Sequence, residues 1–369
     1  MPHDGRTTLQ GRGSLSELRA GAVRVAVIGG DGIGPEVTDA GVRVLEATAE
    51  SDPSLQLSFT QLPWGCEYYL EHGRMMPEDG LHILSGFDGI YLGAVGWPTV
   101  PDHVSLWGLL LPIRRGFDQY VNLRPTRLLR GVESPLAKPL SVDITVVREN
   151  TEGEYSDSGG RMFEGTPHEL AVQDSIFSRR GVERIVRYAC EVARGRRGLL
   201  VGATKSNGIS ITMPFFDEIF REISEEYPDV EASLVHADAL AARLVLDPEG
   251  FDVVVGSNLL GDILSEVTAA VSGAIGIAPS ANLNPEREYP SLFEPIHGSA
   301  PDIAGSHKAN PSGAIWAGAL LLEHVGYPEA GERVVNAVED ALASGTKTLD
   351  LGRSATTEEM TQAVIERLL

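Results

Sequence analysis

Short runs of apolar, largely β-branched residues alternate with segments of helical periodicity along most of this chain. One such run, FDVVV at residues 251–255, is followed directly by a helical segment. Runs this short and this uniformly apolar are typical of strands buried on both faces of a parallel sheet. Because parallel neighbours need a crossover connection, the alternation predicts βαβ units and an α/β fold.

Seven further apolar or β-rich runs are predicted as strands, at residues 23–28, 55–60, 89–92, 120–123, 142–148, 198–203 and 230–234. Predicted helices include residues 106–113, 181–194, 211–227, 312–325, 329–343 and 357–368, with Thr357 as the N-cap of the last. Residues 156–171 contain a glycine pair and few apolar residues, so we expect an exposed hairpin or arm. Residues 273–285 and 295–311, rich in Gly, Pro, Ser and Asn, are predicted as loops.

Composition excludes several classes of protein. The 369 residues include 52 acidic and 30 basic side chains, a formal net charge of -22, whereas a nucleic-acid partner requires clustered Lys and Arg. Cys66 and Cys190 show neither a disulfide-framework nor a zinc spacing, which suits a reducing cytoplasm. Without a run of roughly 18 apolar residues we expect no membrane partner, and residues 1–22 are predicted to be a disordered extension.

Two carboxylates follow the apolar run at residues 251–255. Asp262 and Glu266 lie four residues apart, so on a helix their side chains share one face, about 5–6 Å apart at Cβ. We place Asp262 on a loop punctuated by Gly256 and Gly261. The pair can share one cation. The alternative is that both carboxylates only complement the dipole of the helix.

Four polar residues stand where apolar runs end: Arg148, Lys205, Asp238 and Asp262. We place each just past the carboxyl end of a strand, with Arg148 on the loop that also carries Tyr155. Ligands of open α/β sheets bind at this edge. The pattern therefore predicts a binding site formed by several separate segments of the chain.

Arg114 and Arg124 lie ten residues apart, the first on an apolar helix and the second at the end of a β-rich run. Each could be a solvated surface charge. Their apolar and aromatic surroundings favour a functional position instead, because an unpaired charge is costly there. In a chain this acidic, gathered arginines would indicate an anionic ligand.

The segment GGDGIGPE, at residues 29–36, turns the first predicted strand into a helix that continues to about residue 50, with Pro35 in its first turn. Its glycines give G-x-G-x-G, and Pro35 occupies the place of the third glycine of the dinucleotide fingerprint. The next strand is followed by Gln61 rather than by an acidic ribose ligand. The segment therefore does not match the dinucleotide-binding fingerprint. It is interpreted as a tight strand-to-helix turn, which either borders a ligand or does not.

Six motifs occur together and in order: GGDGIGPE, R-x9-R with NLRP, VRENTEGEY, TKSN, GD-x3-E and FEPIHGSAPDIAG-x3-ANP. With them, the chain from about residue 23 onward resembles the metal-dependent decarboxylating dehydrogenases of the isocitrate/isopropylmalate dehydrogenase family, most of all the tartrate and D-malate branch. The resemblance implies a two-domain isopropylmalate-dehydrogenase-like fold with a mixed, largely parallel sheet, not a Rossmann fold. It places a large cofactor-binding domain at 23–119 and 273–369, and a small domain with the dimer interface and the arm at 120–272.

The resemblance also implies roles for single residues. Tyr155 and Lys205 correspond to the acid–base pair, with Lys205 deprotonated by burial and nearby positive charge. Glu266 is one methylene longer than the usual Asp, which leaves open whether it binds the metal directly or through water. The metal positions are Asp238, Asp262 and Glu266; the substrate positions are Arg114, Arg124, Arg148, Trp107 and Leu110; the cofactor positions are His297, Gly298, Ser299, Ala300, Asp302 and Asn310.

The implied cofactors are NAD and a divalent cation, Mn²⁺ or Mg²⁺, with K⁺ left open as an additional ion. Asp302 favours NAD because a carboxylate repels the 2′-phosphate of NADP. The family counterparts of Lys205 and Asp238 reach into the partner's site, which implies a homodimer with shared active sites.

The expected activity is oxidative decarboxylation of a small 2-hydroxy diacid, D-malate to pyruvate and CO₂, with tartrate slower. Trp107 should fill the space that a larger C3 substituent needs. Leu109 and Pro112, where the branch tends to have Ser and Lys, should weaken polar contacts to tartrate. The alternatives are a 3-isopropylmalate dehydrogenase and a catalytically silent regulatory subunit.

Overall fold

The computed structural model of the protein describes residues 21–137, 141–273 and 275–369. The chain divides into two units, the first ending at Gln119 and resuming at Leu283, and the second spanning Tyr120–Asn282. The second boundary was predicted earlier in the chain, between residues 272 and 273. Apart from Gly21 and Ala22, the predicted N-terminal extension lies outside the described residues.

The strands are β1 (Val23–Gly30), β2 (Leu57–Gln61), β3 (Gly89–Ala94), β4 (Val121–Arg127), β5 (Asp143–Glu149), β6 (Gly159–Met162), β7 (Leu170–Gln173), β8 (Leu199–Thr204), β9 (Glu231–His236), β10 (Val253–Gly256), β11 (Pro279–Leu283) and β12 (Ser291–Pro295). The helices are α1 (Gly34–Glu50), α2 (Cys66–His72), α3 (Gly80–Leu84), α4 (Asp102–Ser105), α5 (Leu111–Gly116), α6 (Arg179–Arg194), α7 (Thr212–Ser224), α8 (Ala237–Leu246), α9 (Asn258–Val271), α10 (Ser312–His324), α11 (Pro328–Ala343) and α12 (Thr357–Ile365). A π-helical turn at Leu106–Leu110 joins α4 to α5.

In the first unit, four strands lie in the order β2-β1-β3-β12 and pair in parallel. Helix α10 is buried from Ser312 to Leu322, which explains its many small residues. Tyr91 of β3 donates a hydrogen bond to the carbonyl oxygen of Ala314 at 2.6 Å. A Cβ at Gly41 of α1 would lie 1.8 Å from the Tyr91 hydroxyl, so only glycine allows this contact.

In the second unit, the strand order is β11-β4-β5-β10-β8-β9. Strands β5, β10, β8 and β9 pair in parallel, whereas β4 is antiparallel to β5. Strands β5, β8 and β10 are mostly apolar and buried because helices cover them, among them α8 and α9, whose Leu240, Leu244 and Leu264 pack with Val254. Strand β9, at the edge of the sheet, is partly exposed. The predicted α/β fold with a mixed, largely parallel sheet is confirmed.

Strands β6 and β7 form a separate antiparallel pair in which every residue is exposed. The predicted exposed hairpin at residues 156–171 is thus confirmed. Its large apolar side chains include Met162, Phe163, Leu170 and Val172. In the described part of the chain, no helix combines the length and the apolar composition required to cross a bilayer.

Several local predictions were wrong. The segment predicted as a loop at 273–285 contains the buried strand β11, whose polar Ser280 and Asn282 are satisfied by Asn122 on β4. Strand β12 was missed altogether. The N-cap of α12 is Thr356, not Thr357, because Thr356 and Glu359 form a reciprocal capping box.

Two site residues lie on different elements than predicted. Arg148 is within β5 rather than on the loop that follows it. Asp262 is within α9 rather than on a loop, because Ser257 caps that helix by accepting from the backbone N–H of Leu260 and starts it at Asn258.

Candidate active site

Helix α9 and strand β5 meet side by side in the second unit. A Cβ at Gly261 would lie 2.6 Å from Cβ of Arg148, so only glycine lets the helix come this close to the strand. Asp262 and Glu266 follow on successive turns of α9, as their spacing predicts. The short strand-to-helix connection through Ser257 thus places carboxylates beside the arginine of the neighbouring strand.

Asp262 is the centre of a group of charged and polar side chains. Its Oδ1 lies 3.0 Å from Nη1 of Arg124 and also accepts a hydrogen bond from Nη1 of Arg148. Its Oδ2 accepts a 2.9 Å hydrogen bond from the Tyr155 hydroxyl. Glu266 lies 3.6 Å from Arg124 Nη1. The structure therefore brings together five of the predicted site residues, with both arginines buried.

Arg124 is held in place by side chains that the sequence analysis missed. Its Nη1 donates to Oγ of Ser265 at 2.8 Å, and its Nε donates to Oδ1 of Asn122 at 2.7 Å. Asn122 in turn donates to Asn282 at 2.9 Å. Ser265 stands three residues after Asp262 on the same helix, and Asn122 stands two residues before Arg124 in a strand. Residues three apart on a helix and two apart on a strand lie on the same face, so these spacings indicate that Ser265 and Asn122 lie near the site.

The protonation of the phenol and of the second carboxylate is shifted by this environment. Burial, followed by the Asp262 charge, raises the pKa of Tyr155, while Arg148 and Arg124 oppose the shift. Burial also raises the pKa of Glu266, against the attraction of Arg124. Tyr155 is therefore a protonated hydrogen-bond donor at neutral pH, beside oxygen atoms able to bind a cation.

Lys205 and Asp238 form a second pair in the same unit. They follow the parallel strands β8 and β9, in which Thr204 and His236 are directly paired, so both side chains emerge at the same edge. Lys205 Nζ lies 2.9 Å from Asp238 Oδ2. The hydrogen bond from Lys205 holds the pKa of Asp238 below its usual value. Within its own chain, the neighbour of Lys205 is thus the carboxylate of Asp238.

The three predicted metal carboxylates do not assemble within one chain. Across the described ranges, no group of three or more His, Cys, Asp or Glu side chains is arranged to hold a metal ion. Asp262 and Glu266 share one helix face, whereas Asp238 is paired with Lys205. Within one chain, Asp238 therefore does not join Asp262 and Glu266.

The predicted substrate residues of the first unit lie on the π-helical turn, which carries Trp107 and Leu110, and on the helix that follows it, which carries Arg114. Arg114 on α5 is buried and its Nη2 donates to Glu294 at 2.9 Å. The guanidinium of Arg115 lies 4.8 Å from the centroid of the half-buried Trp107 ring. Leu110 is partly buried. Leu109 is fully buried in the apolar core, and its expected effect on polar contacts to tartrate stays a prediction.

The loop that carries the predicted cofactor residues rests on the GGDGIGPE turn. A Cβ at Gly32 would lie 1.9 Å from the carbonyl oxygen of Ser299, which also accepts from the backbone N–H of Ile33 at 2.9 Å. The glycine-rich turn thus packs against the loop that contains Ser299 and donates a hydrogen bond to it. Ala300 has a φ of 39°, a left-handed conformation, and Gly298 is exposed.

His297 and Asn310 are two polar side chains of this loop at predicted cofactor positions. The Nε2 atom of His297 is buried and has no hydrogen-bond partner in the described part of the chain, and burial lowers the His297 pKa. Asn310 donates to Asp350 at 2.9 Å and accepts from the backbone N–H of Ser312 at 3.0 Å. Asp302 is exposed, within reach of a ligand in solution.

A family model described as isocitrate/isopropylmalate dehydrogenase matches residues 24–364. The chain belongs to this family. Among solved structures, an isocitrate dehydrogenase from Methylococcus capsulatus superposes with a TM-score of 0.85 at 34% identity, over 94% of this chain and 99% of that one. The predicted family, fold class and enzymatic nature of the protein are thereby confirmed.

Two curated members of the family are especially similar in sequence. The D-malate dehydrogenase [decarboxylating] of Escherichia coli strain K12 is 56% identical over 357 residues, which cover 94% of this chain and 99% of that protein. The tartrate dehydrogenase/decarboxylase of Pseudomonas putida is 53% identical over 362 residues, covering 95% and 99%. The similarity therefore extends over nearly the whole chain in both comparisons.

Proposed function

We propose that this member of the family catalyses the NAD-dependent, divalent-metal-dependent oxidative decarboxylation of D-malate to pyruvate and CO₂, and acts more slowly on tartrate. The names of its E. coli and P. putida relatives support this substrate class. The observation that carries the proposal is the Asp262 carboxylate, held between two buried arginines and the Tyr155 phenol. In this arrangement the arginines can bind an anion, the carboxylate can bind a cation, and the phenol can donate a proton.

The donor set fits a divalent cation. Asp262 and Glu266 offer carboxylate oxygens from one helix face, and such hard donors suit Mg²⁺ and Mn²⁺. We infer that Asp238 completes the site of a second copy, because it stands apart from the other two within one chain. When bound, the cation polarises the substrate hydroxyl and stabilises the negative charge that develops as CO₂ leaves.

The substrate carboxylates would be bound by arginines. Arg124 and Arg148 are buried and both already form an ion pair with a carboxylate, that of Asp262. A guanidinium fork suits bidentate binding of such a group. We assign Arg114 to the same task by its motif position, and Trp107 and Leu110 to the wall near C3 of the substrate.

Two side chains would handle protons. Tyr155 stays protonated at neutral pH because burial and Asp262 raise its pKa, so we assign to it the delivery of a proton to C3 after CO₂ has left. Lys205 would accept the proton of the substrate hydroxyl. Because Lys205 and Asp238 form one pair, we infer that both serve the partner's site in a homodimer with shared active sites.

NAD would bind at the loop of His297–Asn310. The buried Nε2 of His297 lacks a partner within the described residues, and a bound cofactor would supply one. The same loop contains Gly298, Ser299 and Ala300, which we also assign to cofactor binding. The carboxylate of the exposed Asp302 would accept hydrogen bonds from the hydroxyls of a ribose. We further propose a cytoplasmic location.

Asp262→Asn provides the test of this proposal. We expect Mn²⁺ to raise the Tm of the wild type, because a ligand that binds only the folded state stabilises it, and to leave the Tm of the variant unchanged. NAD reduction with D-malate should be lost. Asp229→Asn is the control, because it removes a carboxylate that pairs with Arg194 on the surface at 2.7 Å. A variant that keeps the full Mn²⁺-induced shift would contradict the proposal.

A further inference from the structure

Asn258 is a buried amide at the first position of α9, one helical turn before Asp262. Its Oδ1 accepts two hydrogen bonds from Arg148, from Nε at 3.1 Å and from Nη2 at 2.7 Å. Its Nδ2 donates to the carbonyl oxygen of Glu152 at 3.1 Å. Both ends of the amide are thus used, and they connect three segments of the second unit.

The contact with Arg148 determines the direction of the guanidinium. The edge formed by Nε and Nη2 is bound to Asn258, and Nη1 is directed at Asp262. Because an amide is neutral, it fixes this edge without adding a second carboxylate to that of Asp262, which already pairs with Arg148. A carboxylate in its place would form an ion pair and reduce the attraction of Arg148 for an anion.

The contact with Glu152 connects the same amide to the loop that carries Tyr155. A Cβ at Gly153 would lie 3.3 Å from Cβ of Asn258, and Gly153 has a φ of +86°, so the loop follows the helix start closely. The Arg148 guanidinium lies 5.4 Å from the centroid of the Tyr155 ring. The loop, the arginine and the helix therefore meet at Asn258.

We propose that Asn258 is a positioning residue that sets the affinity for the hydroxy diacid by orienting Arg148. The inference rests on the proposed function, since it assumes that Arg148 binds a substrate carboxylate. Asn258 itself binds the Nε and Nη2 atoms of Arg148, whereas Nη1 faces Asp262. Its loss should weaken substrate binding and leave the chemistry of the bound substrate nearly unchanged.

The first test is Asn258→Ala in the full-length enzyme. We expect KM for D-malate to rise about tenfold, the effect of losing hydrogen bonds to a charged group, with kcat changed less than about threefold and KM for NAD unchanged. Ser257→Ala is the matched control, because it removes the cap of the same helical turn without touching Arg148. It should lower the Tm and leave KM for D-malate unchanged. An unchanged KM in Asn258→Ala, or an equal rise in both variants, would overturn the inference.

A double-mutant cycle tests whether Asn258 acts through Arg148. In an Arg148→Lys background, which lacks the fork that Asn258 binds, adding Asn258→Ala should not raise KM further, so the effects should be non-additive. Additive effects would contradict the inference. If Asn258→Ala does not fold, Asn258→Ser replaces it, since it keeps a polar group but is too short to reach Arg148. A wild type that fails to oxidise D-malate would instead refute the proposed function.

Discussion

The hydroxyl of Tyr155 donates a 2.9 Å hydrogen bond to Oδ2 of Asp262, and the other oxygen of this carboxylate lies 3.0 Å from Nη1 of Arg124. The proposed acid, the proposed metal ligand and part of the anion site are therefore joined through one carboxylate. The charge of Asp262 raises the pKa of Tyr155, as does burial. A change at Asp262 should consequently affect cation binding, anion binding and proton transfer together.

Mixing two inactive variants tests the shared active site. Lys205→Met and Asp262→Asn should each be inactive alone, because one removes the proposed base and the other a proposed metal ligand. In a homodimer with shared sites, a mixed dimer places both defects in one site and leaves the other intact. Random reassociation should thus restore about one quarter of wild-type kcat.

The control for this experiment is a mixture of Tyr155→Phe with Asp262→Asn. These two residues are hydrogen-bonded within one chain, so the mixed dimer has a defect in each site. No recovery is expected from this pair. Absence of recovery in the Lys205 mixture would show that Lys205 does not serve the partner's site. Recovery in the control would show that Tyr155 and Asp262 of one chain do not act in the same site.

Trp107 should set the size of the substrate pocket. Its ring is fixed by the Arg115 guanidinium at 4.8 Å, so it is expected to exclude a bulky C3 group. In Trp107→Ala we expect the kcat/KM for 3-isopropylmalate relative to D-malate to rise by at least about tenfold. Leu109→Ala is the control: Leu109 is fully buried in the core, so this variant should lose about 2–5 kcal/mol of stability without a change in that ratio. Equal ratios in wild type and Trp107→Ala would contradict the assignment.

Asp302 should select NAD over NADP. A 2′-phosphate beside this exposed carboxylate meets like-charge repulsion, so the wild type should favour NAD by at least about a hundredfold in kcat/KM. Asp302→Asn should narrow the preference by raising NADP turnover, whereas Glu332→Gln, an exposed carboxylate on α11, should not. The decisive measurement is initial rate against concentration of each cofactor. Comparable values for both cofactors in the wild type would refute this role.

His324 should make the first unit sensitive to acid. Burial, followed by the charge of Arg287, lowers the pKa of His324 to about 3 from an ordinary 6.5. The unfolded chain therefore binds a proton at a higher pH than the folded chain, so stability is lost as pH falls from about 6.5 towards 3, by about 2 kcal/mol at about pH 5.

His324→Phe tests whether His324 causes this loss of stability in acid. The variant keeps an aromatic ring beside Phe293, whose ring centroid lies 5.6 Å from that of His324. It should lose less stability between neutral pH and about pH 5 than the wild type, as measured by denaturant unfolding. His82→Gln, at an exposed position, should behave like the wild type. An equal acid loss in His324→Phe and the wild type would contradict the assignment.

The parts of the site that depend on local geometry could be predicted from the sequence. Asp262 and Glu266 share a face because four residues make about one helical turn. Their contact with Arg124 depends on the antiparallel pairing of β4 with β5, a non-local arrangement that no spacing encodes. The pairing of Lys205 with Asp238 likewise depends on the register of β8 and β9.

The features that were not predicted from the sequence involve buried polar residues. Strand β11 was missed because Ser280 and Asn282 resemble loop residues, although Asn122 satisfies both within the sheet. Asn258 and Ser265 were overlooked on α9. They lie four residues before and three residues after Asp262, so the polar stripe of an apolar helix already contained the signal.

The most direct test of the proposed function is an NAD-reduction panel with the purified enzyme and Mn²⁺. The substrates are D-malate, L-tartrate, meso-tartrate, 3-isopropylmalate, isocitrate and homoisocitrate, with pyruvate and CO₂ measured for D-malate. We predict the highest kcat/KM for D-malate, one pyruvate and one CO₂ for each NADH formed, slower turnover of tartrate, and no NAD reduction after chelation of the metal. A higher kcat/KM for 3-isopropylmalate or isocitrate than for D-malate, or no NAD reduction with any substrate, would contradict the proposed function.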